Sequence, residues 1–271
     1  MTDHTSTPTT THGTTDADTH RRVALVTGGN RGLGREEALA LAADGVDVVL
    51  TYRSHADEAE AVVTQVEALG RRAAALPLDT ADHASFPGFV DTLLATLRET
   101  WDREDLDVLV NNAGNADLTV LGEITAEHVT GLLDVHLTGV VLLTDALVPH
   151  LVDGGRIVNT SSGLARFSSM FQYAVYASAK GAVEVWTRYL AAALGPRGIT
   201  VNVIAPGATA TDFGGGGMRD DEQMRAGLAQ VIAMGHVGRP EDIGAAVAAI
   251  ASDRMRWVTG QRIEASGGML L

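Results

Sequence analysis

The sequence predicts an α/β fold: a doubly wound parallel β-sheet with helices on both faces, built as one domain over residues 21–271. Three observations carry this. Short β-branched apolar runs alternate with segments of helical period, the pattern of repeated βαβ units. A glycine-rich turn follows the first of these runs directly. No linker, internal repeat or change of composition interrupts the chain after residue 21.

The elements follow in order. Residues 23–27 form a first buried strand, bounded by Gly28. Residues 32–43 make a helix with Leu33, Ala38, Leu39 and Leu41 as apolar positions. A second strand spans 46–52, and a helix over 56–69 stops at Gly70. A third strand covers 73–78, a helix 83–100 and a fourth strand 106–110. Residues 126–152 are helical, in two pieces divided near Gly139. A fifth strand covers 156–159. A long helix over 172–194 ends at Gly195-Pro196. A sixth strand spans 199–204, a helix 240–251 opens on Pro240, and 262–264 is a short last strand.

At 271 residues the chain can bury a core without a disulfide or metal staple. Hydrophobic residues at 45% rule out a mostly disordered chain. Lys and Arg number 20 against 34 Asp and Glu, a net −14. This argues against nucleic acid or an anionic membrane as partner. Cys is absent, which excludes disulfides, thiolate metal sites and a Cys nucleophile and suits a cytoplasmic location. The first twenty residues are polar and Thr-rich; they are expected to be a disordered tail with no signal peptide. The most apolar later run is 243–251, so no stretch is expected to approach a membrane span.

Ligands of such sheets sit at the carboxyl ends of the strands. After the first strand come Thr27, Gly28, Gly29, Asn30, Arg31, Gly32, Leu33 and Gly34. The glycines allow a tight turn and close backbone approach to a pyrophosphate, with a helix N-terminus beyond. An NAD site places a carboxylate at the end of the second strand. Here that stretch holds Arg53 and Ser54 and no acid. Arg53, Ser54 and Arg31 from the glycine loop suit a 2′-phosphate, so NADP(H) is expected rather than NAD(H).

Tyr176 and Lys180 stand at i and i+4, on one helix face. A nearby ammonium and a cationic oxidised nicotinamide both favour phenolate, so the Tyr176 hydroxyl is expected to be more acidic than an ordinary phenol. Ser162, after the fifth strand, can donate to a substrate oxygen. Tyr173 has Ala177 four residues on and so lacks this partner.

These residues resemble the short-chain dehydrogenase/reductase family. The resemblance rests on residues 27–34, Asp79, Asn111-Asn112-Ala113-Gly114, Ser161-Ser162, the Tyr176-to-Lys180 motif and residues 202–212, spread over essentially the whole domain. It implies a Rossmann fold and hydride transfer between NADP(H) and a carbonyl or secondary alcohol. Tyr176 would be the acid in reduction and the base in oxidation. Lys180 would lower its pKa and bind the nicotinamide ribose, and Ser162 would hold the substrate oxygen. Asp79 would bind the adenine edge, or cap a helix. Asn112, Ala113 and Gly114 would line the ribose. Pro206, Gly207, Thr209 and Thr211 would meet the nicotinamide end. Assembly as a homodimer or homotetramer through the helices at 126–152 and 172–194 is also implied.

Two departures from the family pattern stand out. Its usual relay Asn is replaced by His136. The imidazole either holds the relay water and weakens the relay as it gains a proton near neutrality, or is packed with no relay role. Tyr176 also lies 14 residues after Ser162, one more than usual, which leaves Ser161 as the alternative to Ser162.

Substrate choice is expected from two loops: 163–172 with Leu164, Phe167, Met170 and Phe171, and 213–234 with Gly214–Gly217, Met218 and Met224, the second a lid. Their content points to a small-molecule substrate with an apolar body. An acidic acyl-carrier protein is a poor partner for so acidic a surface. The rival function is a non-catalytic NADP-binding regulator on the same fold; a sensor has no need of an acid. A hydrolase lacks its G-x-S-x-G elbow, and no metal-ligand spacing stands among the nine His.

Overall fold

The computed structural model describes residues 21–168 and 170–271. The polar segment 1–20 and Ser169 of the first substrate loop lie outside the described residues. Val23–Val26 (β1), Asp47–Tyr52 (β2), Ala73–Pro77 (β3), Leu106–Asn111 (β4), Leu151–Thr160 (β5), Thr200–Pro206 (β6) and Arg262–Ala265 (β7) form one seven-stranded sheet. Its order is β3-β2-β1-β4-β5-β6-β7 and every pairing is parallel. The strand order reverses between β1 and β4. This is the doubly wound Rossmann arrangement, whose ligand crevice opens at that reversal.

The helices are Gly32–Ala43 (α1), Ala56–Ala68 (α2), Phe86–Trp101 (α3), Ala126–Leu133 (α4), Gly139–Leu147 (α5), Ala174–Leu194 (α6), Gly217–Asp220 (α7), Glu222–Ala229 (α8) and Pro240–Ala251 (α9). Alternate strand residues reach opposite layers, as the pleat requires. Val23, Leu25, Leu109, Ile157 and Val201 pack with Leu93 and Leu97 of α3, Leu143 and Leu147 of α5, and Leu190 and Leu194 of α6. Ala24, Val26, Val110, Val158 and Ile204 pack with Ala38 and Leu41 of α1, Val62 and Val66 of α2, and Ile243 and Val247 of α9.

Three expectations change. The stretch 126–152 is not helical to its end. A π-helical turn, Asp134–Thr138, separates α4 from α5; a 3-10 turn, Val148–His150, closes it, and Leu151 already begins β5. Pro149 accounts for the stop, because it lacks the N–H that an α-helix needs there. The same run bears on the membrane expectation: by length and composition Ala126–His150 is long and apolar enough to cross a bilayer. Leu132, Val140, Leu143 and Leu147 of that run are buried in the protein itself. Lastly, the lid segment holds two short helices, α7 and α8, which its glycines and polar residues concealed. The Asp221 side chain accepts from the Met224 N–H and starts α8.

Polar side chains also tie the layers. The Asn111 amide donates to Thr144 Oγ1 at 2.9 Å and to Asn159 Oδ1 at 2.8 Å, and the Asn159 amide donates to Thr187 Oγ1 at 2.9 Å. This chain joins α5, β4, β5 and α6 just below the crevice and satisfies groups that would otherwise be costly to bury.

Candidate active site

The glycine loop is fixed from below. Thr27 Oγ1 accepts from the N–H groups of Asn112 and Ala113, both at 3.0 Å. The Asn112 amide donates to the carbonyls of Thr27 (2.9 Å) and Gly28 (3.3 Å), so this side chain holds the loop. Gly28 has φ +65°, a left-handed conformation, and its N–H donates to Thr51 Oγ1 at 3.2 Å. A Cβ on Gly34 would lie 2.3 Å from the Gly28 carbonyl oxygen and 2.4 Å from Asn112 Nδ2. Only glycine fits there. Asn30 donates to Glu58 of α2 at 2.9 Å. Leu33 packs on the α1/α2/α9 layer. The first turn of α1 has no side-chain cap, leaving its N–H groups for an anion.

Arg53 and Ser54 are exposed at the end of β2. Arg31 does not join them: its guanidinium pairs with Asp212 at 3.3 Å, at the start of the lid. Asp79 is half-buried and its Oδ1 accepts from the Ala81 N–H at 2.9 Å, so it caps its own turn. Pro206 ends β6, and Gly207 donates to the Ala265 carbonyl at 3.0 Å. The Thr209 hydroxyl donates to the Gly207 carbonyl at 3.1 Å, while Thr211 Oγ1 accepts from the Phe213 N–H at 3.3 Å.

Ser162, Tyr176 and Lys180 come together at the carboxyl end of β5, all three buried. The Ser162 hydroxyl bonds to the Tyr176 hydroxyl. Ser161 turns away: it donates to Glu184 Oε1 at 2.6 Å, one helical turn beyond Lys180 on α6. The Lys180 ammonium donates to the Thr160 carbonyl at 2.7 Å and lies 5.7 Å from the Tyr176 ring centre.

The electrostatics run against the expectation of an acidic phenol. Burial pushes Tyr176 up to about 12, against the lowering effect of the Ser162 bond. Burial also brings Lys180 down to about 8. Desolvation is the dominant cause for both groups.

His136 is fully buried, edge-on to Tyr176 with ring centres 4.9 Å apart. Its Nε2–H donates to the Asn115 carbonyl at 2.8 Å, which leaves Nδ1 as the bare nitrogen, without a partner among the described residues. A Cβ on Gly114 would sit 2.8 Å from the ring, so the glycine makes room for it. Burial, then the Lys180 charge, drive His136 down to about 3. The expected gain of a proton near neutrality is therefore corrected: the imidazole stays neutral.

One set of residues was missed in the sequence. Arg262 of β7 donates to the Ser162 carbonyl (3.2 Å), to Glu184 (2.7 Å) and to Glu264 (2.7 Å). Arg166 grips Glu264 at 2.7 and 2.9 Å and the Met269 carbonyl at 2.8 Å. Burial pushes Glu264 up, but bonds from Arg166, Arg262 and Ser266 outweigh it and bring the carboxyl to about 2. This network holds the Ser162 backbone and the C-terminal turn together. Its one local signal was a charged pair, Arg262 and Glu264, inside a strand.

Above the site lies an apolar rim. Phe213 stands 5.7 Å from the Tyr176 ring, and Phe171, Met170, Phe213 and Met224 are all exposed. Thr119 donates to the Gln172 carbonyl at 2.9 Å, which ties the segment after β4 to the first substrate loop.

Comparison with known proteins places this architecture. Residues 28–270 match the family model described as enoyl-(acyl carrier protein) reductase. An uncharacterized oxidoreductase of Methylorubrum extorquens is 40% identical over 248 residues, covering 92% of this chain and 97% of that protein. Among solved structures, the promiscuous reductase LugOII, which catalyses keto-reduction at C1 during lugdunomycin biosynthesis, superposes with a TM-score of 0.87 at 38% identity, covering 92% and 97% of the two chains. The angucycline C-6 ketoreductase LanV, solved with bound NADP, gives 0.86 at 35% identity, covering 92% and 95%. The glycine cradle, the parallel sheet and the buried Ser162, Tyr176 and Lys180 thus belong together: the chain is an oxidoreductase of the short-chain dehydrogenase/reductase family.

Proposed function

We propose that this oxidoreductase reduces a carbonyl on an apolar small molecule to a secondary alcohol, with NADPH as the hydride donor. The observation that carries the reading is the buried triplet in which the Tyr176 hydroxyl bonds to Ser162, with Lys180 one helical turn away. LanV was solved with NADP, and LugOII and LanV are both ketoreductases; their likeness over more than nine-tenths of this chain supports the same cofactor and direction.

The residues fit the cofactor. Gly28, Asn30, Gly32, Leu33 and Gly34 with the uncapped start of α1 make a cradle for its pyrophosphate. Arg53 and Ser54, exposed and with no acid beside them, would hold the 2′-phosphate, joined by Arg31 when it leaves Asp212. Asp79, Asn112, Ala113 and Gly114 would line the adenosine side, and Pro206, Gly207, Thr209 and Thr211 the nicotinamide side. When bound, NADPH supplies the hydride.

The chain's own groups do the rest. Ser162 donates to the substrate oxygen as negative charge grows there. Tyr176, fully protonated in its buried setting, gives its proton to that oxygen. Lys180 is the cation that compensates the phenolate left behind. The exposed aromatic and Met side chains of the rim would cover the substrate's apolar body. Exposed Leu142, Val185 and Tyr189 on α5 and α6 support pairing of subunits through those helices into a dimer or tetramer.

A panel of carbonyl compounds with NADPH and with NADH tests this on wild type, Tyr176→Phe and Arg53→Ala. Replacing the phenol should cut kcat by about 10²–10⁴-fold. Removing the guanidinium should raise KM for NADPH by about tenfold or more and leave NADH unaffected. Equal use of NADH by wild type, or turnover that survives in the Phe variant, would overturn the reading.

A further inference from the structure

β7 ends the sheet and carries two charged residues on one face. Arg262 and Glu264 stand at i and i+2, while Ile263 between them packs into the layer of α1, α2 and α9. The two charged side chains are only 20% and 21% exposed. An edge strand carries charges to block pairing with another chain, but that role needs none of the contacts these two make.

The contacts run first to Ser162, which starts the 3-10 turn Gly163–Ala165. Its carbonyl accepts from the Ala165 N–H at 3.1 Å, and the Arg262 guanidinium adds a second donor at 3.2 Å. Arg166 is the next residue, with its N–H bonded to the Gly163 carbonyl at 2.9 Å. Its guanidinium leaves the turn and grips both oxygens of Glu264, at 2.7 and 2.9 Å, in the two-pronged geometry that fixes direction as well as distance. Arg262 donates to the same carboxylate at 2.7 Å, so both arginines are aimed by one anion.

The contacts run next to the lid. The Arg166 guanidinium also donates to the Met269 and Leu270 carbonyls, at 2.8 and 3.3 Å. The end of the lid is bonded to this same C-terminal turn. The Met234 N–H donates to the Gly267 carbonyl at 3.0 Å, Ala233 to Gly268 at 3.3 Å, and the Leu270 N–H to the Val231 carbonyl at 2.9 Å. Ile232 and Met269, both buried, face each other in an antiparallel bridge. The turn has little slack. Gly267 and Gly268 take left-handed φ values of +61° and +77°, and a Cβ on Gly207 would lie 2.6 Å from the Ser266 Cβ.

We propose that Arg166 is a positioning residue that couples the lid to Ser162, its guanidinium fastening the turn that Ser162 begins to the C-terminal turn in which the lid's end is held. A substrate seated on the apolar surface of the lid is thereby registered against the hydroxyl that meets its oxygen. The inference rests on the role given to Ser162 above. Glu264 sets the angle of both arginines and belongs to the same unit. Partly exposed ion pairs add little to global stability, so the effect falls on kcat and on the lid rather than on unfolding.

The test uses the full chain with Arg166→Gln, Glu264→Gln and the two combined. Each single variant should lower kcat for reduction of an apolar carbonyl about tenfold to hundredfold, as when a reacting group shifts by up to about 1 Å. KM for NADPH should not move, because the glycine cradle makes none of these contacts. The combined variant should lose no more than the worse single one, since the two residues act together. Trypsin digestion of the NADPH-bound protein, with fragments identified by mass, should cut after Arg219 and Arg225 of the lid about fivefold faster in every variant. Lid cleavage at the wild-type rate, or kcat losses that multiply in the combined variant, overturns the proposal. So does faster cleavage with unchanged kcat, because the lid would then be loosened without reaching Ser162. If Arg166→Gln does not fold, Arg166→Lys keeps the charge, loses the fork and should show the same pattern; a wild-type kcat in it overturns the proposal. Failure of the catalytic reading itself would show separately, as turnover surviving in Tyr176→Phe, while lid cleavage still reports on the fastening.

Discussion

The two walls of the crevice are built on opposite principles. In the glycine-loop wall, side chains pin the backbone: the Thr27 hydroxyl and the Asn112 amide lock the turn, and a Cβ on Gly34 would meet atoms at 2.3 and 2.4 Å. The lid wall is held over 213–229 by local bonds such as Gly215 N–H to Asp212 and the Asp221 cap of α8, and only its end, Val231 to Met234, is tied to the C-terminal turn. It carries three consecutive positive-φ glycines, Gly214 to Gly216, and exposes Phe213, Met224, Val231 and Met234. The first wall suits a ligand of fixed shape. The second offers apolar surface without a fixed mould, and on the proposed reading substrate choice belongs there.

The largest effect should come from breaking the first wall. Gly34→Ala forces a methyl into the Gly28 carbonyl and the Asn112 amide, with neither free to move. It should cost about 3 kcal/mol in urea unfolding and abolish retention of NADPH in equilibrium dialysis. Normal stability with normal NADPH binding would mean that the wall yields.

A smaller effect sharpens the contrast from the other side. Phe213→Ala removes a ring from beside Tyr176. Steady-state kinetics should show KM for an apolar carbonyl rising about three- to tenfold, with KM for NADPH unchanged, as for one lost aromatic pair of about 0.5–1.5 kcal/mol. A change in the NADPH constant instead would place this side chain on the first wall.

The smallest effect is the absence of a shift. His136 sits between the walls and is held neutral, with a pKa driven to about 3. Its folded pKa lies below its ordinary value, so it contributes no acid limb to reduction near neutrality. The pH–rate profiles of wild type and His136→Asn should superpose above about pH 5, two units clear of that value. A wild-type limb near pH 6 that vanishes in the variant would show a titrating imidazole.

Much of the first wall was legible in the chain. The glycine spacing after an apolar run, the arginine at the end of the second strand and the Tyr176–Lys180 spacing are local patterns. Local pattern also gave α1, α2, α9 and the strands to within two residues, except β5, which starts at Leu151 and not at Arg156. The second wall was not legible, since α7 and α8 arise from a cap at Asp221 and a run of glycines that also reads as loop. Arg31 reads as a phosphate ligand until the fold sets Asp212 beside it. Glu37 reads as one more polar residue at the start of an amphipathic helix until the sheet closes over it.

What the sequence determined by itself was the α/β alternation, the glycine turn after the first strand and the i, i+4 spacing of Tyr176 and Lys180, because these depend on neighbours within a few residues. Only the tertiary structure decided the ionisation of those side chains. Tyr176, Lys180, His136 and Glu37 all lie far from their ordinary pKa values because packing from distant elements strips them of water. Desolvation depends on the whole surrounding shell, and no short stretch of sequence contains that shell.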